Sequence, residues 1–360
     1  MKYLTEKEIE QLNNDKGLSC RTQSKDFVSV MIKPSFLFSN IQSFNKLTNR
    51  ARGFIFDSET GEVVCRGFDK FFYHDGVKNK DGGYLFMNEV RGKVTAYRKE
   101  NGFLGMIGYS ERLDELVFAS KHSLTNKFAE NVKRIFFDTT TKEEREYIKN
   151  SLKVYKGTLV FEVIDAEGDL HLVDYDKDQL VIIGFVRNGF DFYEYDYKLT
   201  QEVFGHLSQI KIKERIIIRD SFEETINVLG HIGKGQRIEG WVINDENGNH
   251  LKVKTPFFVI FRKIRGVVQF VHTDKAWRGI NCSDKSDMAT FTKLIKSSIE
   301  RIKNDNRSGM KDEEKELITE YLELYIDNRE YIEAAYAREK GVFAFVETIK
   351  AFESLKPFAL

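Results

Sequence analysis

Ile238-Glu239-Gly240-Trp241-Val242-Ile243-Asn244, the polar turn Asp245-Glu246-Asn247-Gly248-Asn249, and His250-Leu251-Lys252-Val253-Lys254 form the continuous stretch that decides the fold. Two runs rich in β-branched and aromatic residues flank a glycine-containing turn, which predicts a β-hairpin. Alternation along the second run puts Lys252 and Lys254 on one face and leaves Val253 to pack on the other. Glu239 stands thirteen residues upstream of Lys252 and can direct a carboxylate to the same side of the hairpin. Two cations opposite a carboxylate suit a metal-bound phosphate chain. A Lys-x-Lys pair on a strand is more often a plain solvated face, so the stretch carries function only in company.

Upstream segments share the pattern. Gly53-Phe54-Ile55-Phe56-Asp57 and Glu62-Val63-Val64-Cys65-Arg66 read as a hairpin turning at Gly61. Val94-Thr95-Ala96-Tyr97, followed by Arg98 to Gly102 and then Phe103-Leu104, reads as another. Between Leu124 and Ile148, apolar residues are spaced among charges as in helices. This order predicts an α+β domain built on antiparallel sheets. From about residue 284 the pattern turns helical. Asp287 to Lys303 places Phe291, Leu294, Ile295, Ile299 and Ile302 at helical spacing. Glu313 to Tyr325 and Arg329 to Phe352 read as the second and third helices of a bundle, with a loop over Asn304 to Gly309 between the first two. The expected division is a first domain over residues 1–275 and a small all-helical C-terminal domain over 284–360.

Composition narrows the class. Of 360 residues, 41% are hydrophobic and 30 are phenylalanine, enough for an aromatic-rich core. Basic and acidic residues balance at 56 each, so a polyanionic partner would have to be met by local clusters. Arg262, Lys263 and Arg265 offer one; Lys211, Lys213, Arg215 and Arg219 read better as charges keeping a strand face soluble. Three scattered cysteines, Cys20, Cys65 and Cys282, provide neither a disulfide framework nor metal-ligand spacing. The N-terminus is charged, and no apolar run is long enough to span a bilayer. A soluble cytoplasmic protein without a membrane partner is expected.

Four further segments join the opening stretch: Arg52-Gly53, Lys70-Phe71-Phe72, Ser120-Lys121-His122-Ser123 and Phe161-Glu162-Val163. Each is weak alone. Lys70 could snorkel beside two phenylalanines, Glu162 could be one outward carboxylate on a strand, and 120–123 could be a surface turn with a satisfied His122. Their order and spacing are specific. Together they resemble the adenylyltransferase core of the RNA ligase 1 family of phages and the ligase domain of fungal tRNA ligases. The resemblance covers roughly residues 30 to 270 and leaves out the helical C-terminus.

The resemblance implies an antiparallel-sheet nucleotidyltransferase domain, ATP with Mg²⁺ or Mn²⁺, and RNA with broken or tRNA-like ends as partner. It implies three steps: an enzyme-lysine adenylate, transfer of AMP to an RNA 5′-phosphate, and attack by a 3′-hydroxyl with release of AMP. End-healing kinase and phosphatase activities would prepare such ends; oligomeric state is left open. By the same resemblance, Arg52, Lys70, Phe72, Glu162, Glu239, Lys252 and Lys254 bind the nucleotide, the last two with catalytic roles. Arg52, Lys121 and His122 serve the RNA end and its phosphate, and Glu162 and Glu239 hold metal.

At the nucleophile the chain departs from the family. The family lysine lies three residues before a glycine that opens a strand. Here Asn88-Glu89-Val90-Arg91-Gly92 precedes Lys93-Val94-Thr95-Ala96-Tyr97, which puts Glu89 in that position. Lys80-Asp81-Gly82-Gly83 offers a second register, ten residues beyond Lys70, and the sequence leaves both open. A carboxylate forms no stable phosphoramidate, and two anions about 4 Å apart repel by roughly 4 kcal/mol at an effective dielectric near 20. Sealing of an already adenylylated RNA end needs no such lysine. The sequence thus predicts an RNA ligase blocked at self-adenylylation, with a catalytically inactive RNA-end or nucleotide-binding pseudo-ligase as the alternative. A DNA ligase or a capping guanylyltransferase is a third reading, against which Ser120-Lys121-His122-Ser123 argues.

Overall fold

In a computed structural model, residues 2–39, 45–73, 90, 92–166, 168, 171–277, 287–305, 310–339 and 345–360 are described. β1 (Leu18–Thr22), β2 (Phe27–Ile32), β3 (Phe54–Asp57) and β4 (Val63–Arg66) pair in that order, all antiparallel. β3 and β4 are the expected hairpin, and Gly61 supplies its left-handed turn at φ 73°. Ten more strands follow: β5 (Phe72–Tyr73), β6 (Val94–Lys99), β7 (Phe103–Ser110), β8 (Glu115–Ser120), β9 (Gly157–Ile164), β10 (Gln179–Arg187), β11 (Lys211–Ile212), β12 (Arg215–Arg219), β13 (Gly240–Asp245) and β14 (His250–Lys254). They build a sheet of order β11-β10-β9-β7-β8 and another of order β12-β6-β13-β14-β5. Among the described pairings, β10–β11 and β14–β5 are parallel. The architecture is α+β, with antiparallel sheets and a helical C-terminal region.

The chain divides into two compact units. One comprises Met1–Ala166, Tyr175–Phe222 and Val242–Lys252; the other comprises Glu167–Asp174, Glu223–Trp241 and Val253–Leu360.

In the first unit, β9 is buried along its whole length, as a strand covered on both faces must be. Leu159, Phe161 and Val163 pack with Val132, Ile135, Phe136, Ile148 and Leu152 of the helices Lys127–Thr139 and Lys142–Tyr155. The intervening Val160 packs, with Leu104, Met106 and Ala119, against Ile55, Val64 and Cys65 of the first sheet. This is the two-residue alternation of a strand. Both helices begin where the sequence supplies a cap: Asn126 accepts from Ala129, and Thr141 and Glu144 form a capping box. The two sheets approach closely enough that a Cβ on Gly108 would lie 1.8 Å from the Val64 carbonyl.

The second unit has its own core. Thr255 caps the helix Pro256–Val271, with proline at the first turn. Phe257, Phe261, Ile264 and Val268 of that helix share a cluster with Phe291, Ile295 and Ile299 of Met288–Lys303 and with Ile318, Tyr321 and Tyr325 of Asp312–Asp327.

Three expectations change. β6 and β7 are not a hairpin: they lie in different sheets. The chain crosses at Asn101-Gly102, where the Tyr175 hydroxyl accepts from the Asn101 amide (2.8 Å) and the Glu162 carboxylate accepts from the Gly102 amide (3.1 Å). A side chain at Gly102 would meet the Val163 carbonyl at 2.1 Å. Second, the helical unit is larger than residues 284–360, because the helix Pro256–Val271 belongs to the same core. Third, Arg329 to Phe352 is two helices, Arg329–Arg338 and Val346–Leu355. The Glu339 carboxylate between them accepts from the Glu347 amide at 2.5 Å and so satisfies the start of the second. Among the described residues no helix is long and apolar enough to cross a membrane.

Candidate functional site

Arg52 is placed by the glycine that follows it. Gly53 adopts φ 76°, and a Cβ there would fall 2.4 Å from the Met106 sulfur, so only glycine fits. Its amide donates to the Lys121 carbonyl (2.9 Å), and its own carbonyl accepts from Gly67 (2.7 Å). That clasp brings Arg52 beside Lys121. The turn bearing Lys121 is tight: the Ser120 amide and hydroxyl both donate to the Ser123 carbonyl (2.8 and 3.1 Å). The Ser29 hydroxyl donates to the His122 carbonyl (2.8 Å). Lys70 follows from the same side, its amide donating to the Asn49 carbonyl (2.8 Å).

The three cations oppose one another. Burial, then the neighbouring Arg52, lowers the Lys70 ammonium to about 8. Burial, then Arg52 and Lys70, does the same for Lys121. His122 falls to about 4 through burial, with Lys121, Arg52 and Arg21 adding to it. Burial also depresses Arg52, and Glu162 partly opposes this. Among the described residues the Arg52 and Lys121 side chains have no hydrogen bond or ion pair. The Nδ1 of His122 is buried without a partner. Arg52 and Lys121, cations held close together and without a hydrogen-bonded or ion-paired side-chain partner among the described residues, suit an anion of high charge density, such as a phosphate.

Glu162 is the acid of this group, 8% exposed on β9. Besides the Gly102 amide it has the Lys99 ammonium 3.4 Å away. Lys99 is a site residue that the motif reading missed. The available signal was its place at the end of a strand, just before the Glu100-Asn101-Gly102 turn.

The parallel pairing of β5 with β14 sets Phe72 opposite Leu251 and Tyr73 opposite Lys252, bringing the Lys70-Phe71-Phe72 segment to the lysine strand. Lys252 lies over the Phe71 ring, 4.5 Å from its centre. Phe71 in turn rests against His250, whose Nε2 is 2.8 Å from the Glu194 carboxylate. The other Glu194 oxygen accepts from Lys213 (2.9 Å). Burial alone would raise the Glu194 carboxyl, but Lys213 and the hydrogen-bonded His250 outweigh it and hold it at about 2. Lys213 of the 211–219 stretch is therefore an internal ion-pair partner. Removing Glu194 leaves a buried ammonium and imidazole unpaired, so Glu194→Ala should cost about 3–5 kcal/mol in denaturant unfolding at pH 7. Because the folded value is depressed, the stabilisation is present above the ordinary carboxylate value and is lost as pH falls towards 2. A loss below about 1 kcal/mol would refute the ion-pair account.

In the second unit, Glu239 and Lys254 form an ion pair with both side chains buried, and Lys254 lies 4.0 Å from the centre of the Phe258 ring. Gly240, at φ 146°, is required because a Cβ there would meet the Val253 carbonyl at 2.0 Å. Thr255 ties this end together, its hydroxyl donating to the Ile238 carbonyl (2.6 Å).

The structure thus brings together Arg52, Lys70, Lys121, His122 and Glu162 in one unit, with Lys252 on the Phe71 ring, and joins Glu239 to Lys254 in the other. Glu89, Lys80 and the side chain of Phe72 lie outside the described residues. No cluster of three or more His, Cys, Asp or Glu side chains fit to hold an ion occurs among the described residues. Glu162 and Glu239 are single carboxylates, the first against the Gly102 amide and Lys99, the second paired with Lys254.

Residues 50–263 match the sequence profile of a family described as RNA ligase. No curated protein sequence matches the chain. Among solved structures, the chain is similar to one form of an archaeal ATP-dependent RNA ligase at 13% identity and a TM-score of 0.53, over 91% of this chain and 79% of that one. A second form gives 13% identity and a TM-score of 0.52, over 98% and 88%. At such identities the likeness speaks for the fold alone.

Proposed function

Because this chain belongs to the RNA ligase family, we propose that it seals RNA ends by the ATP-dependent route, with self-adenylylation blocked by Glu89 at the nucleophile position. The observation that carries the reading is the convergence of Arg52, Lys70 and Lys121 at one site, where the Gly53 amide clasps the Lys121 carbonyl and burial, then Arg52, lowers both lysines. Their arrangement suits the phosphates of an adenylylated RNA end. Arg52 and Lys121 would bind the 5′-phosphate and orient it, with His122 neutral beside them. Glu162 would hold a divalent cation with the substrate's phosphates, Mg²⁺ or Mn²⁺ supplying charge neutralisation when bound. Lys252, backed by Phe71, and the Glu239–Lys254 pair take the nucleotide-binding and catalytic roles that the resemblance gives them. The adenylyltransferase chemistry then falls to the site residues between Arg52 and Lys254, and the C-terminal helices serve the choice of substrate, with tRNA-like ends as candidates.

A gel assay with two donors tests this. With Mg²⁺, the chain is expected to join a 5′-adenylylated RNA to a 3′-hydroxyl acceptor. It should fail to join a 5′-phosphorylated RNA supplied with ATP. Joining both would place the nucleophile elsewhere, Lys80 first. ATP binding with neither donor joined would establish the pseudo-ligase.

A further inference from the structure

Within the second unit, a cleft of about 390 Å³ opens beside the helices Pro256–Val271 and Met288–Lys303. Arg262, Lys263 and Arg301 line it, against one carboxylate, Asp305. In a chain whose total charge is zero, three cations to one acid among the described lining residues is an excess that favours a polyanion. The cleft is also built. Arg301 is held to its own helix by the Ser297 carbonyl (3.3 Å) and the Ser298 hydroxyl (3.0 Å), and its guanidinium stands 5.6 Å from the centre of the Phe270 ring. Lys263 lies 3.6 Å from Asp305. Phe270, half-buried, gives the cleft an aromatic surface.

Gly266 adds an independent observation. It sits in the interior of a 16-residue helix, where glycine is unfavourable relative to alanine. Nothing among the described residues calls for it, since a Cβ there would meet none of their atoms within 4 Å. Gly266 lines the cleft. A glycine that the protein's own packing does not explain, bordered by cations and a ring, fits the close approach of a ligand to the helix surface.

We propose that this cleft binds a single-stranded segment of the RNA substrate, with Arg262, Lys263 and Arg301 on the phosphodiester backbone and a base against Phe270. This rests on the RNA-sealing reading above, but concerns a site separate from the residues assigned to chemistry. The ring supplies the stacking surface and the cations the backbone contacts that sequence-tolerant single-strand binding uses.

The test measures binding of a fluorescent single-stranded RNA to the full chain by anisotropy over a range of salt, beside ATP binding and the sealing of an adenylylated donor. Gly266→Ala should raise Tm by about 2 °C while weakening RNA binding, a combination that damage to the fold cannot produce. Gly266→Leu should weaken RNA binding about tenfold by denying a base its place. The double variant Arg262→Gln, Arg301→Gln should reduce the slope of log K against log salt by about two. ATP binding should not change in any of them. Unchanged RNA affinity and salt slope in variants of a chain that still seals would overturn the cleft and leave the ligase reading standing. Loss of mononucleotide binding in place of RNA binding would also overturn it. A parent chain that neither binds nor seals RNA would remove both.

Discussion

Replacing Glu89 by lysine is expected to turn a chain that takes no label from ATP into one carrying about one covalent AMP per molecule. The reason is chemical. An amine attacks the α-phosphate to give a phosphoramidate that survives long enough to be passed on, whereas a carboxylate gives at best an anhydride that water cleaves. On the proposed register, Glu89→Lys supplies an amine and a positive charge three residues before Gly92. Labelling with α-³²P ATP, resolved on a denaturing gel, reads the result. The 5′-phosphorylated donor should then become joinable. A parent chain that already labels, and loses its label in Lys80→Ala, would show that the other register is the working one. An unlabelled but folded Glu89→Lys chain that binds ATP would refute both registers.

The second large effect concerns the cation cluster. Lys121→Ala, and likewise Arg52→Ala, should slow sealing of an adenylylated donor by about 10²–10³-fold, the usual cost of losing one charge-stabilising donor at a reacting centre. The pH dependence distinguishes this from a structural role. Lys70 and Lys121 each sit near 8 before an anion arrives, and an anion binds their charged forms. Affinity for the adenylylated end should therefore be level well below pH 8. Above it, affinity should fall by up to about tenfold per unit for each lysine that discharges. Lys121→Ala should flatten that fall, and Lys121→Arg should move it to higher pH. A profile unchanged by Lys121→Ala would mean that this lysine takes no part in anion binding.

The fold was legible where local rules suffice. The hairpins turning at Gly61 and at Asp245 to Asn249 announced themselves by turn glycines between strand-like runs. The helix Met288–Lys303 was visible in the spacing of Phe291, Ile295, Ile299 and Ile302. Sequence reasoning misplaced β6 and β7 because a short polar link looks the same whether it closes a hairpin or carries the chain to another sheet. What separates the two is a pair of distant acceptors, Tyr175 and Glu162. The extent of the helical unit was hidden for a similar reason: Phe257, Phe261 and Ile264 declare a buried face, but not which core receives it.

The motifs likewise pointed to Arg52, Lys70 and Lys121 singly. Their mutual repulsion is a three-dimensional property, and so is the support Lys252 receives from Phe71 and, behind it, from His250 and Glu194. No pattern in the chain links Glu194 to residue 250, since the interaction spans 56 positions.

Mutually repelling, partly dehydrated charges carry a consequence for anyone handling this protein. Until an anion arrives they weaken the folded state, so its free energy of unfolding is a function of the medium and not a constant of the chain. Any phosphate, pyrophosphate or sulfate that settles among Arg52, Lys70 and Lys121 adds RT ln(1 + [L]/Kd), about 2.7 kcal/mol at a hundredfold excess over Kd. Melting curves taken in phosphate and in a non-coordinating buffer should therefore disagree. The gap between them is a direct titration of anion binding, available before any substrate is known.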